Sequence, residues 1–177
     1  NLASFISGLT LKRLCADLDS FVDGRKVDDN GHVLLQFEGG AKGMLWCSQV
    51  AAGNENSLSI RVFGSKGGIE WHQEDPNYLW YTPLGEPKRL ITRNGAGAGG
   101  AAARMSRIPL GHPEGYLEGF AQIYSDAADI ILNHKDKNEL LALLPSGESG
   151  LQIMKFINAS VNSSKNNSIW TDLSSIW

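Results

Sequence analysis

The chain has 177 residues, 42% apolar and 20% charged, with a formal charge of −3. That composition suits a globular fold, which at this size buries roughly 70% of its unfolded surface without needing a staple. No apolar run reaches the ~18 residues of a membrane-spanning helix, and the 16 Lys and Arg, dispersed among 19 Asp and Glu, form no basic stripe for nucleic acid.

Asn1 to Gly8 reads as the end of a helix already under way, stopped by Gly8, so the chain is expected to be a fragment. The period then changes to alternating. Leu11 to Val22 carries Leu14, Ala16 and Leu18 on one side, a half-buried strand. Val27 to Gly31 is a turn, and Val33, Leu35 and Phe37 alternate beyond it. After the hairpin signal Gly39-Gly40, Met44, Trp46, Ser48 and Val50 share one face, with Leu45, Cys47 and Gln49 on the other. Strands at Leu58–Phe63, Ile69–His72, Asn77–Tyr81 and Lys88–Thr92 complete a run of seven. Connections this short demand antiparallel neighbours.

The second half differs. Asn94 to Pro113 is a Gly/Ala-rich stretch, longer than an ordinary connection and read as a mobile flap. Glu114 to Asn133 is an amphipathic helix, with Tyr116, Phe120, Ile123, Ala127 and Ile130 on one stripe. Ser146 caps a second helix whose stripe is Leu151, Met154, Ile157 and Val161. Residues 168–173 return as a strand. Strands first and helices last give an α+β fold, a large, mostly antiparallel sheet with helices on one face. The layout is one domain over 1–177: helix end 1–8, sheet 9–92, flap 93–113, helices 114–164. The opposite sheet face is assigned Leu34, Leu45, Cys47, Phe63, Leu79 and Tyr81, an apolar surface that predicts self-association.

Cys15 and Cys47 sit outside any C-x-x-C pair, which argues against a disulfide framework or zinc site and for a reduced, cytoplasmic protein. Triplets beginning at Asn158, Asn162 and Asn166 resemble glycosylation sites, but the first two fall on a helix pattern and read as its polar face. Gly95, Gly97 and Gly100 formally spell G-x-G-x-x-G, yet that motif needs a parallel βαβ unit, and none follows. His112-Pro113-Glu114 has the spacing of a zinc deaminase's H-x-E without the paired cysteines. His32, His72 and His134 read as surface groups. His112 stands apart, placed between Gly111 and Pro113 just before the main helix. Two readings are open for it: hydrogen bonding or proton exchange with a polar ligand, or anchoring of the loop. Glu114 sits where the helix dipole favours its charge.

Several segments carry a family resemblance. Val27-Asp28-Asp29-Asn30-Gly31-His32-Val33-Leu34-Leu35-Gln36-Phe37-Glu38-Gly39-Gly40-Ala41-Lys42-Gly43 resembles the C-terminal domain of the glucose–fructose oxidoreductase, inositol dehydrogenase and rhizopine-catabolism (Gfo/Idh/MocA) family. So do Ser48-Gln49-Val50-Ala51-Ala52-Gly53, Phe63-Gly64-Ser65-Lys66-Gly67 with Glu70-Trp71, and Gly111-His112-Pro113-Glu114-Gly115-Tyr116. The resemblance runs in order from about residue 1 to residue 173. It implies an NAD(P)-dependent oxidoreductase of sugars, inositols or related polyols, in which an N-terminal Rossmann domain precedes this one and the sheet supports dimers or tetramers. The cofactor glycines, the catalytic Lys and the Asp and His of the opening helix would all precede Asn1. On that basis the chain itself carries no catalytic residue, binds no NAD(P) and is inactive alone.

Three residues are carried over as substrate-binding. His112 looks like the family residue that approaches the substrate cleft. Gln49 offers an amide to a hydroxyl, with a sheet-interface role equally open, and Arg104 lies in the loop that would roof the cleft. Trp80 reads as core packing rather than as a platform for a sugar ring. The alternative to the enzyme reading is a noncatalytic self-associating or ligand-binding domain.

Overall fold

The computed structural model describes residues 1–132 and 140–177, so the readings of Asn133 and His134 lie outside the described residues. Helix α1 (Leu2–Ser7) ends as expected, Gly8 adopting a left-handed φ of 69° while its N–H donates to the Ser4 carbonyl. Eight strands follow the alternating patterns: β1 (Leu11–Asp19), β2 (Asn30–Phe37), β3 (Lys42–Ser48), β4 (Ser59–Gly64), β5 (Gly67–His72), β6 (Tyr78–Pro83), β7 (Arg89–Thr92) and β8 (Thr171–Asp172). The helices are α2 (Gly100–Met105), α3 (Tyr116–Leu132) and α4 (Gly147–Lys165). The class is α+β with antiparallel pairing throughout the described strands.

The strands pair in two ladders of four, β3-β2-β1-β8 and β4-β5-β6-β7, where the alternation alone suggested one meander. The break falls at the polar stretch between β3 and β4. Strand β8, only two residues long, pairs Asp172 with Arg13 and Thr171 with Leu14. The chain divides into two compact units, one of residues 1–54 and 145–177, the other of residues 55–144.

The first unit holds the apolar core. Leu14, Ala16, Val33, Leu35 and Phe37 project from one face of β1 and β2 and meet Ala159 of α4, with Leu173 and Ile176 closing one end. Register decides which side chains share that face, because directly opposed residues point the same way. Val33 opposes Leu45 and Gly31 opposes Cys47, whereas Leu34 opposes Met44 and His32 opposes Trp46. The open face of this sheet therefore carries His32, Leu34, Met44 and Trp46. Leu45 and Cys47 lie on the core side, which corrects their assignment to the open face. The second ladder repeats the correction: Tyr81 opposes Ile69 and Leu79 opposes Trp71, while Phe63 opposes Gly68 on the other side.

Helix α4 begins at the expected cap, the Ser146 hydroxyl accepting from the Ser149 N–H at 3.1 Å. Its buried side is another matter. Ala159, Ser160 and Ser163 are buried, while Leu151, Met154 and Ile157 of the expected stripe are exposed. The reason lies at the sheet edge. Beyond Leu14, strand β1 has no further pairing with β8, so its amides need acceptors from elsewhere. Ser163 Oγ accepts from Ala16 N–H at 2.8 Å and donates to the Ile169 carbonyl at 2.6 Å, and Ser164 Oγ accepts from Leu18 N–H at 3.1 Å. The small polar face of α4 thus completes the ladder, Phe156 packs partly buried against the core, and Leu151, Met154 and Ile157 turn outward. Ser160 and Ser164, which complete two of the glycosylation-like triplets, are engaged in helix back-bonding and in this packing respectively.

Candidate functional site

The second unit contains His112 and Arg104, and the first contains Gln49. Each is positioned differently. Gln49 lies one residue past the end of β3, its backbone N–H donating to the Asp29 carbonyl at 2.7 Å and its side chain exposed. Asp29 anchors that neighbourhood from a buried position. Its carboxylate accepts from the amides of Phe21 and Val22 at 2.9 and 3.0 Å and faces Arg25 at 3.3 Å. Those bonds, the Phe21 amide foremost, hold its pKa below the ordinary aspartate value.

Arg104 is on α2, in the middle of the stretch read as a flap. Its guanidinium grips the buried Asp126 of α3 with Nη1 at 2.8 Å from Oδ1 and Nη2 at 3.3 Å from Oδ2, and Gln122 Nε2 donates to the same Oδ1 at 2.9 Å. A bidentate pair of this kind fixes geometry as well as charge. The inward side of α3 is accordingly polar. Tyr116, Phe120 and Ile123 of its expected apolar stripe are exposed, so that stripe is not the face buried by this chain.

The turn from Arg107 to Gly115, which carries His112, is anchored by side chains from outside it. Arg93, just beyond β7, donates to four oxygens within 3.3 Å and pairs with a carboxylate. Its Nη1 donates to the Ile108 carbonyl at 2.7 Å and lies 2.7 Å from Glu114 Oε2. Its Nη2 donates to the carbonyls of Pro109 and His112 at 3.3 and 2.6 Å, and its Nε donates to Asn77 Oδ1 at 2.9 Å. Asn77 clasps Glu114 from both sides, accepting its N–H at 3.1 Å and donating to its carbonyl at 3.0 Å. Glu114 Oε1 accepts the Arg107 N–H at 2.6 Å. Helix α3 is then started by Glu118, whose carboxylate accepts the Gly115 N–H at 2.9 Å. This is the reciprocal half of a capping box, and that bond holds the Glu118 pKa below the ordinary glutamate value.

The flap reading is corrected in its middle and at its end: residues 100–105 are helical, and residues 107–115 are pinned. The His112 side chain remains exposed, its Nδ1 3.4 Å from the Leu110 carbonyl. The His112 backbone carbonyl is held by Arg93, and its imidazole is exposed. Arg93 and Asn77 escaped the sequence reading because each looked like the ordinary end of a strand. The one available signal was an arginine ending a strand ahead of a long loop full of carbonyls.

The glycine triplet does not make a dinucleotide cradle. Strand β7 is antiparallel to β6, and the following helix α2 has six residues, so no βαβ unit presents a helix N-terminus to a pyrophosphate. Trp80 is half-buried, and one face of its ring is covered by Lys88, whose Nζ lies 4.6 Å from the centroid. Lys88 and His72 both meet Glu70, at 3.1 and 3.0 Å; the bonds from His72 and Lys88 lower the Glu70 pKa. Among the described residues, no group of three or more His, Cys, Asp and Glu is gathered as for a metal ion, and no helix is long and apolar enough to cross a membrane.

Comparison with known proteins agrees with the motif resemblance. Residues 1–70 match the model of the GFO/IDH/MocA C-terminal domain. The chain is 34% identical over 168 residues to an uncharacterized oxidoreductase of Bacillus subtilis, YfiI, a match covering 93% of this chain and 43% of that protein. An oxidoreductase from Sinorhizobium meliloti of known structure is 59% identical, with a TM-score of 0.92 over 96% of this chain and 48% of its own. An inositol dehydrogenase homolog from Azotobacter vinelandii, solved with NADH and myo-inositol, is 31% identical, with a TM-score of 0.85 over 97% of this chain and 46% of its own. The chain therefore spans about half the length of the relatives it matches. Motif order, family model and fold agree: this chain belongs to the Gfo/Idh/MocA oxidoreductase family, as a C-terminal domain.

Proposed function

We propose that this chain is the substrate-side and self-association half of an NAD(P)-dependent dehydrogenase acting on a sugar, an inositol or a related polyol in the cytoplasm. The observation that carries the reading is the likeness, over 97% of the chain, to an inositol dehydrogenase homolog solved with NADH and myo-inositol. The nicotinamide group belongs to the rest of the longer protein and, when bound there, takes up or gives the hydride. This chain's own share is binding. His112, exposed on a pinned turn, hydrogen-bonds a substrate hydroxyl; Gln49, in the first unit, presents an exposed amide of its own. Arg104 contributes through its pair with Asp126, which ties α2 to α3.

The open face of the first sheet supports self-association. Met44, Trp46 and Leu34 are 78%, 57% and 51% exposed there, side by side on adjacent strands. Contiguous apolar surface of this kind marks an interface. It also favours the second reading, a self-associating module without chemistry.

The test is nicotinamide reduction by the full-length protein with NAD+ and NADP+ against a panel of inositols, hexoses and alditols. Turnover with at least one polyol is expected, with KM raised at least tenfold by His112→Ala. A full-length protein that assembles but reduces neither cofactor with any polyol would leave the noncatalytic module standing instead.

A further inference from the structure

The turn that presents His112 has little structure of its own. Between Arg107 and Gly115 its internal backbone bonding consists of the His112 N–H donating to the Pro109 carbonyl at 3.3 Å. Gly111 needs a left-handed φ of 83°, and prolines at 109 and 113 withdraw two amide donors. Its conformation must then come from outside, and Arg93 supplies it. A guanidinium has five N–H donors in a fixed planar fork. Here four oxygens accept from it, the carbonyls of residues 108, 109 and 112 and the Asn77 amide oxygen, while Glu114 Oε2 faces Nη1 at 2.7 Å as an ion pair and accepts no hydrogen bond. The carbonyls that Arg93 holds bracket Leu110, whose own carbonyl lies 3.4 Å from His112 Nδ1.

That bracket has a chemical consequence. Which ring nitrogen of a histidine carries the proton is set by the hydrogen bond the other one makes or accepts. A carbonyl oxygen can only accept, so a hydrogen bond between Nδ1 and the Leu110 carbonyl requires the hydrogen on Nδ1 and leaves the exposed Nε2 with a lone pair. A lone pair at Nε2 accepts a hydrogen bond from an alcohol; an Nε2–H does not. The geometry points to Arg93 as the positioning residue of the site: it fixes the turn around Leu110 and so holds His112 in the tautomer that accepts from a substrate hydroxyl. The inference rests on the reading of His112 as a substrate contact. Lysine should not replace Arg93, because three donors on one nitrogen cannot reach the four oxygens that the three nitrogens of the fork hold.

The test combines the imidazole 15N shifts of His112, above its titration range, with steady-state kinetics on the full-length protein, using myo-inositol and NAD+ as the probe pair. Wild type should show hydrogen on Nδ1. Arg93→Met and Arg93→Lys should both revert His112 to the Nε2–H form that free imidazole side chains prefer, and raise the KM for myo-inositol at least tenfold with kcat changed less than threefold. A merely structural role would lower stability and leave the tautomer alone. An Nε2–H in wild type overturns the proposal, as does an unchanged tautomer in a folded Arg93 variant. Should Arg93→Met not fold, Arg93→Lys decides, since it keeps the charge beside Glu114. A wild type that oxidises no polyol defeats the function reading, while the tautomer measurement still decides the role of Arg93.

Discussion

Two buried polar side chains show how one residue can hold a segment that lacks structure of its own. Asp29 does so for residues 21–25 by accepting two amides and facing Arg25. Its folded pKa is depressed, so its contribution to stability is complete above the unfolded aspartate value, about 3.9. It is lost as pH falls through the lower folded value. Asp29→Asn should therefore be less stable than wild type at neutral pH, with the gap narrowing steadily below about pH 4. Denaturant midpoints across that range check this; a gap independent of pH would mean that the charge is not what counts. Ser163 holds a sheet edge in the same way, through one accepted and one donated hydrogen bond. Removing its hydroxyl strands Ala16 N–H and the Ile169 carbonyl in a buried place, and Ser163→Ala should cost about 1–3 kcal/mol by urea unfolding. Ser149→Ala, on the exposed first turn, should cost less.

At the scale of elements, hairpins obey local rules and helix faces do not. The β4–β5 connection turns on Gly67, whose φ is 153° and where an added Cβ would lie 2.5 Å from the Thr82 carbonyl oxygen. Gly67→Ala must push β6 away, and a loss of about 2 kcal/mol or more in stability is expected, comparable with other forced backbone strain. Hydrogen exchange should localise the damage to β5 and β6, with β1 and β2 unchanged; uniform acceleration would refute a local effect. Strand alternation, the Gly8 stop and the Ser146 cap were legible because each depends on neighbours within a few residues. The stripes of α3 and α4 were legible too, but as patterns without a direction. Nothing in the run Leu151, Met154, Ile157 reveals that the sheet edge requires hydroxyls and therefore draws Ser163 and Ser164 inward.

For the whole molecule, register carries the prediction about assembly. Leu34 and Met44 oppose one another on the open face of the first sheet, and Leu45 lies on the core side. If the protein associates through that face, Leu34→Lys or Met44→Lys should shift sedimentation toward the monomer by at least tenfold in dissociation constant. Leu45→Lys should instead lower stability. Equal loss of assembly from all three would argue that the variants act by unfolding.

Local chemistry carried much of this protein's description. Alternation, turn residues and caps are encoded within a few positions, so the strands, their antiparallel pairing, the α+β class and the family were readable from the chain in order. The covered faces, the division into two ladders and the anchoring of His112 were not. They depend on partners far apart in sequence: Ala16 meets Ser163 across 147 positions, and Asn77 meets Glu114 across 37. No local period records such pairings, because they arise only when buried amides and carbonyls must find partners in three dimensions.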